Sequence, residues 1–470
     1  MQNIYREIFW GTTKYVVLRN IFMVITGVIS IFIVRLLGPS EYGKYSLVWN
    51  LISTVGPILS LGWLNTLARF IPETSSLEEK SKLFSQSLSL VLLICSLFLV
   101  VFLSAIKLIP KFFPAEIKQI AFIFSLFVCL VAIFNIFEGM YRGLGKFNRW
   151  TIIDGIRSNL SILFALILLV FGYKSFKTVI MSSFLITILF ALVLFFHLSQ
   201  FIVKPKQFLP NPTVRKFLLT MLSGQVIFLL STNIDSVLLR ALLKDPTQVG
   251  LYNAGIRIPK MIETMLIGPL SVPFLYYFSH PEIMHSKEKI LEFGSKMLGI
   301  LLGMISLFLF SFSKEIIVII FGSQYLSSVE VLQMFSLVLF ILGFLILFSP
   351  YIYSINQPLI PLLFGGVNFV LVLVLNLIFV PKFKIVGPSL SIFFSLVILG
   401  ILYPIVTHQP QCLKNFIFLL FGVGFSIIMS MISSVYFAFP IFVGVVWLTK
   451  MFTLNDIKLW YKIVIVFRRN

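Results

Sequence analysis

Residues 39–45, PSEYGKY, and residues 246–252, PTQVGLY, decide the fold. Both have a proline, a glycine four positions later and a tyrosine two positions after the glycine, and a Leu-Leu pair lies shortly before each. Each motif follows an odd-numbered predicted span, and six predicted crossings lie between them. Since an even number of crossings restores the direction of the chain, the repeat predicts two six-helix lobes of equal orientation, related by a pseudo-two-fold axis along the membrane normal.

The composition around these motifs is that of an integral membrane protein. The chain has 470 residues, of which 59% are hydrophobic and 11% charged, and its mean hydropathy is +1.04. Apolar runs of about 20 residues, enough to cross a hydrocarbon core as helix, recur along the whole chain. We predict an all-α fold of about 14 transmembrane helices, at roughly 14–37, 44–68, 83–106, 119–141, 149–171, 177–198, 216–243, 249–278, 290–312, 328–354, 358–380, 385–407, 415–432 and 435–451.

The spans divide the chain into three predicted parts. Residues 1–200 form an N-terminal six-helix lobe, residues 201–410 form a C-terminal six-helix lobe, and residues 411–470 add two extra transmembrane helices and a basic cytoplasmic tail. Neither the spans nor the short loops leave room for a folded soluble domain.

The net charge of +20, from 37 basic and 17 acidic residues, is mainly a signal of topology. With a cytoplasmic N-terminus, about 20 basic residues fall on the inside and about 12 on the outside. This bias predicts a multi-pass protein of the cytoplasmic membrane with both ends inside. Interfacial lysines and arginines attract anionic membrane lipids, so the charge gives no reason to expect a nucleic acid partner.

The sequence GIRIPKMIETM, residues 255–265, places Arg257, Lys260 and Glu263 inside the eighth span. Counted from Gly250 at 1.5 Å per residue, they lie ~10, ~15 and ~20 Å deep, on one slowly drifting helix face. Charges at this depth are costly and usually line a wet cavity or meet a partner. We predict a cationic cavity, with a Lys260–Glu263 salt bridge as the alternative. Pro259 is expected to disturb this part of the helix.

Two further spans carry charges. Arg19 lies about one turn inside the first span, where snorkelling toward the cytoplasm is the alternative to a cavity role. Asp154 and Arg157, three residues apart in the fifth span, can either neutralise each other or serve the cavity.

The seventh span contains STNIDS, residues 231–236, in which Asn233 and Asp235 add polarity to the membrane. We expect Asp235 to be able to pair with Arg257. Arg35 and Arg240 lie at outside span ends, where interfacial anchoring is the expected role.

Other chemistry is sparse. Three cysteines and four histidines show no disulfide, zinc or other metal spacing, and no phosphate-binding glycine loop or nucleophile pattern is present. We therefore expect no cofactor and no enzyme activity. If a coupling ion, H⁺ or Na⁺, is used, the available acidic residues are Glu263, Asp235 and Asp154.

The run NIDSVLLRALLKDPTQVGLYNAGIRIPK, residues 233–260, resembles the Wzx-type polysaccharide flippases of the multidrug/oligosaccharidyl-lipid/polysaccharide (MOP) exporter superfamily. RLLGPSEYGKYSL (35–47), ARFIPE (68–73) and YRGLGKFNRW (141–150) support the resemblance. It implies a MATE-like pair of six-helix bundles. It also implies alternating-access transport of a polyprenyl-diphosphate-linked oligosaccharide for O-antigen, capsule or exopolysaccharide biosynthesis, with a glycan polymerase as a candidate partner.

The resemblance also implies roles for the buried basic residues. Cavity arginines in this superfamily engage the substrate diphosphate, and the role is carried first to Arg257, then to Lys260, Arg19 and Arg157, with Asn233 as a further polar contact. A MATE-type multidrug or cation exporter is the nearest alternative, and a membrane glycosyltransferase or polysaccharide polymerase is a more distant one.

Overall fold

In the computed structural model the chain is helical wherever it forms regular structure among the described residues, and it forms two compact units. The N-terminal unit is Glu7–Gly250, and the C-terminal unit is Leu251–Asn470 together with Met1–Arg6. The structure describes residues 2–74, 76–203, 209–267, 274, 278, 287–355, 357, 359–432 and 438–448. The predicted basic tail after the last span lies outside the described residues.

In its described residues, the N-terminal unit has eight α-helices and the first turn of a ninth. The helices are α1 (Gln2–Leu59), α2 (Trp63–Glu73), α3 (Leu77–Leu108), the short α4 (Ala115–Gln119), α5 (Ala121–Gly143), α6 (Phe147–Val170), α7 (Phe176–Leu198) and α8 (Pro212–Leu243). By its contacts α8 belongs to this unit, whereas the predicted lobe division places residues 201–410 in the second lobe. The division into transport lobes stays a prediction.

The first two predicted spans are separated at the expected place. Within α1, two helical stretches meet at Gly38, whose non-helical φ of 71° suits glycine, and Pro39 opens the next turn, where its missing N–H costs little. A second break lies inside the predicted span 44–68, at Leu61 (φ 54°) and Gly62 (φ 79°). The end of that span was predicted wrongly, because this second break is apolar in sequence and carries no loop signal.

The core of the N-terminal unit is two clusters of large apolar side chains. One contains Trp63, Phe84 and Phe137, which bring α2, α3 and α5 together. The other contains Phe124, Phe127 and Phe176, packed beneath the second half of α1. Outside these clusters, many large apolar side chains of α3, α6 and α7 are exposed, including Val100, Val193 and Phe196. This is the pattern of helices that face lipid rather than water.

Two helices at the centre of the C-terminal unit are among the most buried helices that the structure describes. Its helices are α9 (Pro246–Ile262), which starts in the N-terminal unit, α10 (Lys287–Ser311), α11 (Ser313–Phe321), α12 (Val329–Leu345), α13 (Phe348–Ser354), α14 (Leu359–Phe383), α15 (Gly387–Val406), α16 (Pro410–Ile432) and α17 (Ala438–Leu448). The helices α10 and α12 pack against each other, α15 packs on α12, and α16 and α17 pack on α10. A π-helical turn, Glu263–Ile267, follows α9.

Among the described residues, 10 helices or helix runs are long and apolar enough to cross a membrane. Two of these runs, Val16–Leu59 and Leu359–Val406, each cover most of two predicted spans. The 17-residue α9 and the 11-residue described part of α17 correspond to two further predicted spans. The predicted set of about 14 helices is therefore accounted for.

Candidate functional site

The α9 charges lie on a helix that is firmly held in the C-terminal unit. The hydroxyl of Ser328 donates to the carbonyl of Leu251 at 2.7 Å, and a Cβ at Gly255 would lie 2.7 Å from the side chain of Val331. These contacts fix the first turns of α9 against the start of α12. Farther along the helix Arg257, like Lys260 and Glu263, is partly buried. The trio therefore occupies a constrained position within this unit.

Lys260 is not locked in a local salt bridge. Its ammonium lies 6.0 Å from the ring centre of Phe335 on α12, at the limit of a cation–π contact, and no ion pair joins it to Glu263 in this part of the chain. The alternative expectation of a Lys260–Glu263 salt bridge was wrong. Glu263 begins the π-helical turn, four residues after Pro259. The helix thus changes its geometry at the predicted position, and such turns frequently occur at functional sites.

A second charged cluster lies in the N-terminal unit, at Asp154 and Arg157 of α6. The Nη2 of Arg157 donates to Oδ1 of Asp154 at 2.6 Å, and its Nη1 donates to the hydroxyl of Thr187 on α7 at 3.1 Å. The guanidinium also lies 4.8 Å from the ring centre of Phe134 on α5. The interpretation that the two charges neutralise each other is therefore confirmed, and Arg157 also joins three helices.

Arg19 lies about one turn before a contact between α1 and α6. One turn after it, the ring of Phe22 packs so tightly on Gly155 of α6 that a Cβ there would overlap the ring. The amide of Asn159 donates to the carbonyl of Phe22 at 3.3 Å, and the hydroxyl of Thr26 donates to the amide oxygen of Asn159 at 3.2 Å. Arg19 itself is partly buried. The structure thus brings the predicted α1 and α6 basic residues to the same helix crossing.

Glu138 is an acidic residue that the sequence interpretation missed. It lies inside α5 and forms an ion pair with Arg142, four residues on. The same signal that exposed the other candidates, a charge inside an apolar span, was available for Glu138. Within the described ranges, no group of three His, Cys, Asp or Glu side chains is arranged to hold a metal ion.

The polar stretch of α8 faces α1. Asp235 is buried, with 3% of its surface exposed, and so is its neighbour Ser236, whose hydroxyl accepts a hydrogen bond from the amide of Asn50 at 3.0 Å. Asn233 donates to the carbonyl of Leu229 at 3.4 Å. Asn50 has no charge and gave no signal in the sequence. The expected pairing of Asp235 with Arg257 stays a prediction.

Arg240, near the end of α8, forms a buried ion pair. Its Nη2 lies 2.9 Å from Oε1 of Glu116, a second nitrogen, Nε, donates to the same oxygen at 3.2 Å, and Glu116 is only 3% exposed. The expectation that Arg240 is an interfacial anchor stays a prediction, and the ion pair with Glu116 is a contact that this expectation did not include. The sequence could not reveal this contact, because Glu116 lies 124 residues away in a short connecting helix.

The two repeat motifs contact each other directly, through their glycines. A Cβ on Gly43 would overlap the carbonyl oxygen of Pro246, and a Cβ on Gly250 would overlap the carbonyl oxygen of Pro39. The contact is reciprocal, as two-fold-related segments require. Asp245 lies immediately before α9: burial alone raises its pKa, but hydrogen bonds donated by Thr247 and Gln248 lower it below its usual value.

A model of the polysaccharide biosynthesis protein family matches residues 10–276, more than half of the chain. The chain belongs to the polysaccharide biosynthesis protein family. All the predicted site residues, from Arg19 to Glu263, lie inside the matched range. The chain matches none of the curated proteins with which it was compared.

Solved structures share the fold of this chain. The lipid II flippase MurJ, in an inward closed conformation, superposes with a TM-score of 0.70 at 16% identity, covering 96% of this chain and 100% of that one. An inward-facing multidrug resistance MATE family transporter of the MOP superfamily gives 0.67 at 15% identity, covering 86% and 97%. A MOP superfamily transporter from Pyrococcus furiosus, described as having a binding pocket of reversed polarity, gives 0.59 at 15% identity, covering 87% and 95%. The predicted all-α, MATE-like membrane fold is confirmed.

Proposed function

We propose that this protein moves a polyprenyl-diphosphate-linked oligosaccharide repeat unit across the cytoplasmic membrane by alternating access, for the synthesis of O-antigen, capsule or exopolysaccharide. The observation that carries the proposal is the polysaccharide biosynthesis family match over residues 10–276. The fold supports it because the solved structures that share this fold are a flippase and transporters.

The deep basic side chains suit the proposed substrate. A diphosphate is anionic, a guanidinium binds phosphate oxygens in a bidentate manner, and an ammonium supplies a point charge. We assign Arg257 and Lys260 the leading role. The ring of Phe335 carries no charge, and no ion pair joins Lys260 to Glu263, so the charge of Lys260 is not neutralised by these neighbours. Arg19 is the next candidate. Arg157 ranks below them, because Asp154 and Thr187 already occupy much of its hydrogen-bonding capacity.

The C-terminal helices favour a lipid-linked substrate over a soluble one. The flippase match covers 96% of the chain, whereas the MATE matches cover 86–87%. The difference, about a tenth of the chain, is comparable with the region of α16 and α17. We propose that these helices accommodate the polyprenyl chain, as part of the same transport cycle.

We propose that energy coupling involves either an acidic residue in the π-helical turn after α9 or the membrane potential. Glu263 is the first candidate for an H⁺ or Na⁺ site, since Asp154 is engaged by Arg157 and Asp235 is buried. The alternative is that the potential acts on the basic helices at ~2.3 kcal/mol per charge per 100 mV. A pH gradient, a sodium gradient or a potential, imposed separately on proteoliposomes, distinguishes these sources.

The test is transport of a fluorescent polyprenyl-diphosphate disaccharide in proteoliposomes, read by its loss of protection from a membrane-impermeant quencher. We expect Arg257→Ala and Lys260→Ala each to lower the rate at least about tenfold, since a charge-assisted hydrogen bond is worth ~1.5–3 kcal/mol. Lys314→Ala, an exposed charge in the same unit, is the control and should transport normally. Normal transport by both α9 variants would refute the diphosphate role.

The alternatives give different results in cells. A MATE-type exporter would lower susceptibility to cationic drugs without affecting glycan display. A polymerase defect would leave single repeat units displayed outside, whereas a flippase defect accumulates single lipid-linked units inside. Product analysis of a strain that lacks the gene therefore separates all three.

A further inference from the structure

A groove of about 430 Å³ opens between α5, α6 and α7 of the N-terminal unit. It lies among helices whose outward side chains are apolar and exposed, such as Val193 at 62% and Phe196 at 71%. None of the residues assigned to substrate binding or coupling lines it. The groove is therefore a feature of the lipid-facing surface that the proposed transport does not use.

Three polar side chains surround the mouth of the groove. Tyr141 comes from the last turn of α5, Arg149 from the first turn of α6 and His197 from the last turn of α7. The rings of Tyr141 and His197 stack at a centroid distance of 6.1 Å, while Arg149 and His197 are exposed. Because all three lie at helix ends, the mouth sits at a membrane–water interface.

The walls below the mouth are apolar. They are formed mainly by Ile153 of α6 and by Phe190 and Leu194 of α7. From His197 to Phe190 the groove follows α7 for seven residues, or ~10 Å at 1.5 Å per residue. That depth is most of one leaflet of a ~30 Å hydrocarbon core.

We propose that this groove binds an anionic phospholipid, with the phosphate at Arg149 and His197 and one acyl chain along the apolar walls. Charge complementarity selects the occupant: the mouth carries the guanidinium of Arg149, and the connecting segment 144–146 adds Lys146. A zwitterionic lipid would bring its own ammonium group to the mouth, so its headgroup would offer the guanidinium no net negative charge. A soluble phosphate would leave the apolar walls uncovered. The chemistry of an anionic headgroup joined to a hydrocarbon chain matches both parts.

Removing the cation at the mouth tests the headgroup contact. The full-length protein in detergent is titrated with phosphatidylglycerol or phosphatidylcholine, and bound lipid is counted by native mass spectrometry. We expect Arg149→Gln to weaken phosphatidylglycerol binding about fivefold, equivalent to ~1 kcal/mol for one interfacial cation, and to weaken phosphatidylcholine binding clearly less, because the choline ammonium offsets the charge of that lipid's phosphate. Lys82→Gln, an exposed basic residue at the start of α3, should bind like the wild type. An equal loss in both variants would overturn the proposal, since the attraction would then be diffuse.

Filling the groove tests the acyl-chain contact without changing any charge. Val193→Trp, at an exposed position on the groove wall, should lower phosphatidylglycerol binding about fivefold or more. Val170→Trp, exposed at the other end of α6, should have no effect. Three outcomes would overturn the proposal: normal binding by Val193→Trp, equal occupancy by soluble glycerol phosphate, and displacement of phosphatidylglycerol by polyprenyl phosphate at far lower concentration.

Discussion

Arg157 shows at the scale of a residue how a charge can persist inside an apolar helix. Its side chain is 16% exposed, while that of Asp154 is 42% exposed, so the arginine depends on its partners more than the aspartate does. A guanidinium withdrawn from water needs its donors satisfied, and Asp154, Thr187 and the face of Phe134 do so. The sequence could identify the charge and its i,i+3 neighbour, but Thr187 and Phe134 are brought in by tertiary packing.

We expect Arg157→Ala to destabilise the protein by about 2 kcal/mol, because it removes charge-assisted hydrogen bonds and leaves the acceptors of α6 and α7 without a donor. Asp154→Asn should cost less, since the amide oxygen can still accept from Arg157. Thermal unfolding in detergent measures both. Lys177→Ala, at an exposed site, is the control and should unfold like the wild type. Equal unfolding midpoints for Arg157→Ala and the control would show that the cluster contributes nothing to stability.

At the scale of the helical elements, the repeat was visible in the sequence but its contact was not. The spacing of proline, glycine and tyrosine predicted two equivalent turns. It could not show that Gly43 and Gly250 touch each other's motif, because a spacing does not specify a distance between segments. The helix breaks differ in how visible they are in the sequence. Gly38 lies within a turn signal, whereas Leu61 and Gly62 interrupt an apolar span without one. Sequence periodicity therefore located the helices better than their interruptions.

The glycine contact leads to a prediction with an internal control. Gly43→Ala should destabilise the protein by about 1–3 kcal/mol, the usual cost of overpacking, since its Cβ would overlap the carbonyl oxygen of Pro246. Gly224→Ala in α8 has no atom within 4 Å of the added Cβ, and should be neutral or stabilising by up to ~1 kcal/mol, because alanine is the better helix former. Thermal unfolding of the two variants in parallel measures the difference. Equal midpoints would mean that the close approach of the motifs is not required.

At the scale of the whole molecule, composition and span count were enough to predict an all-helical membrane protein, since hydropathy and length constrain membrane-spanning segments strongly. The packing of the last helices was harder to predict from the sequence. In the C-terminal unit, a Cβ at Gly299 would lie 2.7 Å from Leu419 of α16, and the rings of Phe344 and Phe416 lie 5.0 Å apart. Phe416 and Leu419 are fully buried. The helix α16 thus forms part of the core of its unit, beyond any role with a lipid chain.

We therefore expect a chain that ends after Gln409 to fail to form a stable C-terminal unit. Loss of α16 and α17 would expose the faces of α10, α12 and α15 that they cover, including the surroundings of Gly303, where a Cβ would lie 3.1 Å from Phe442. Removing a close-packed helix costs both apolar burial and packing contacts. A chain that ends after Leu448 keeps both helices and is the matched control. Size-exclusion chromatography in detergent should give a monodisperse peak for the control and aggregate for the shorter chain. A monodisperse shorter chain with a wild-type unfolding midpoint would contradict this view and leave α16 and α17 with a role in transport alone.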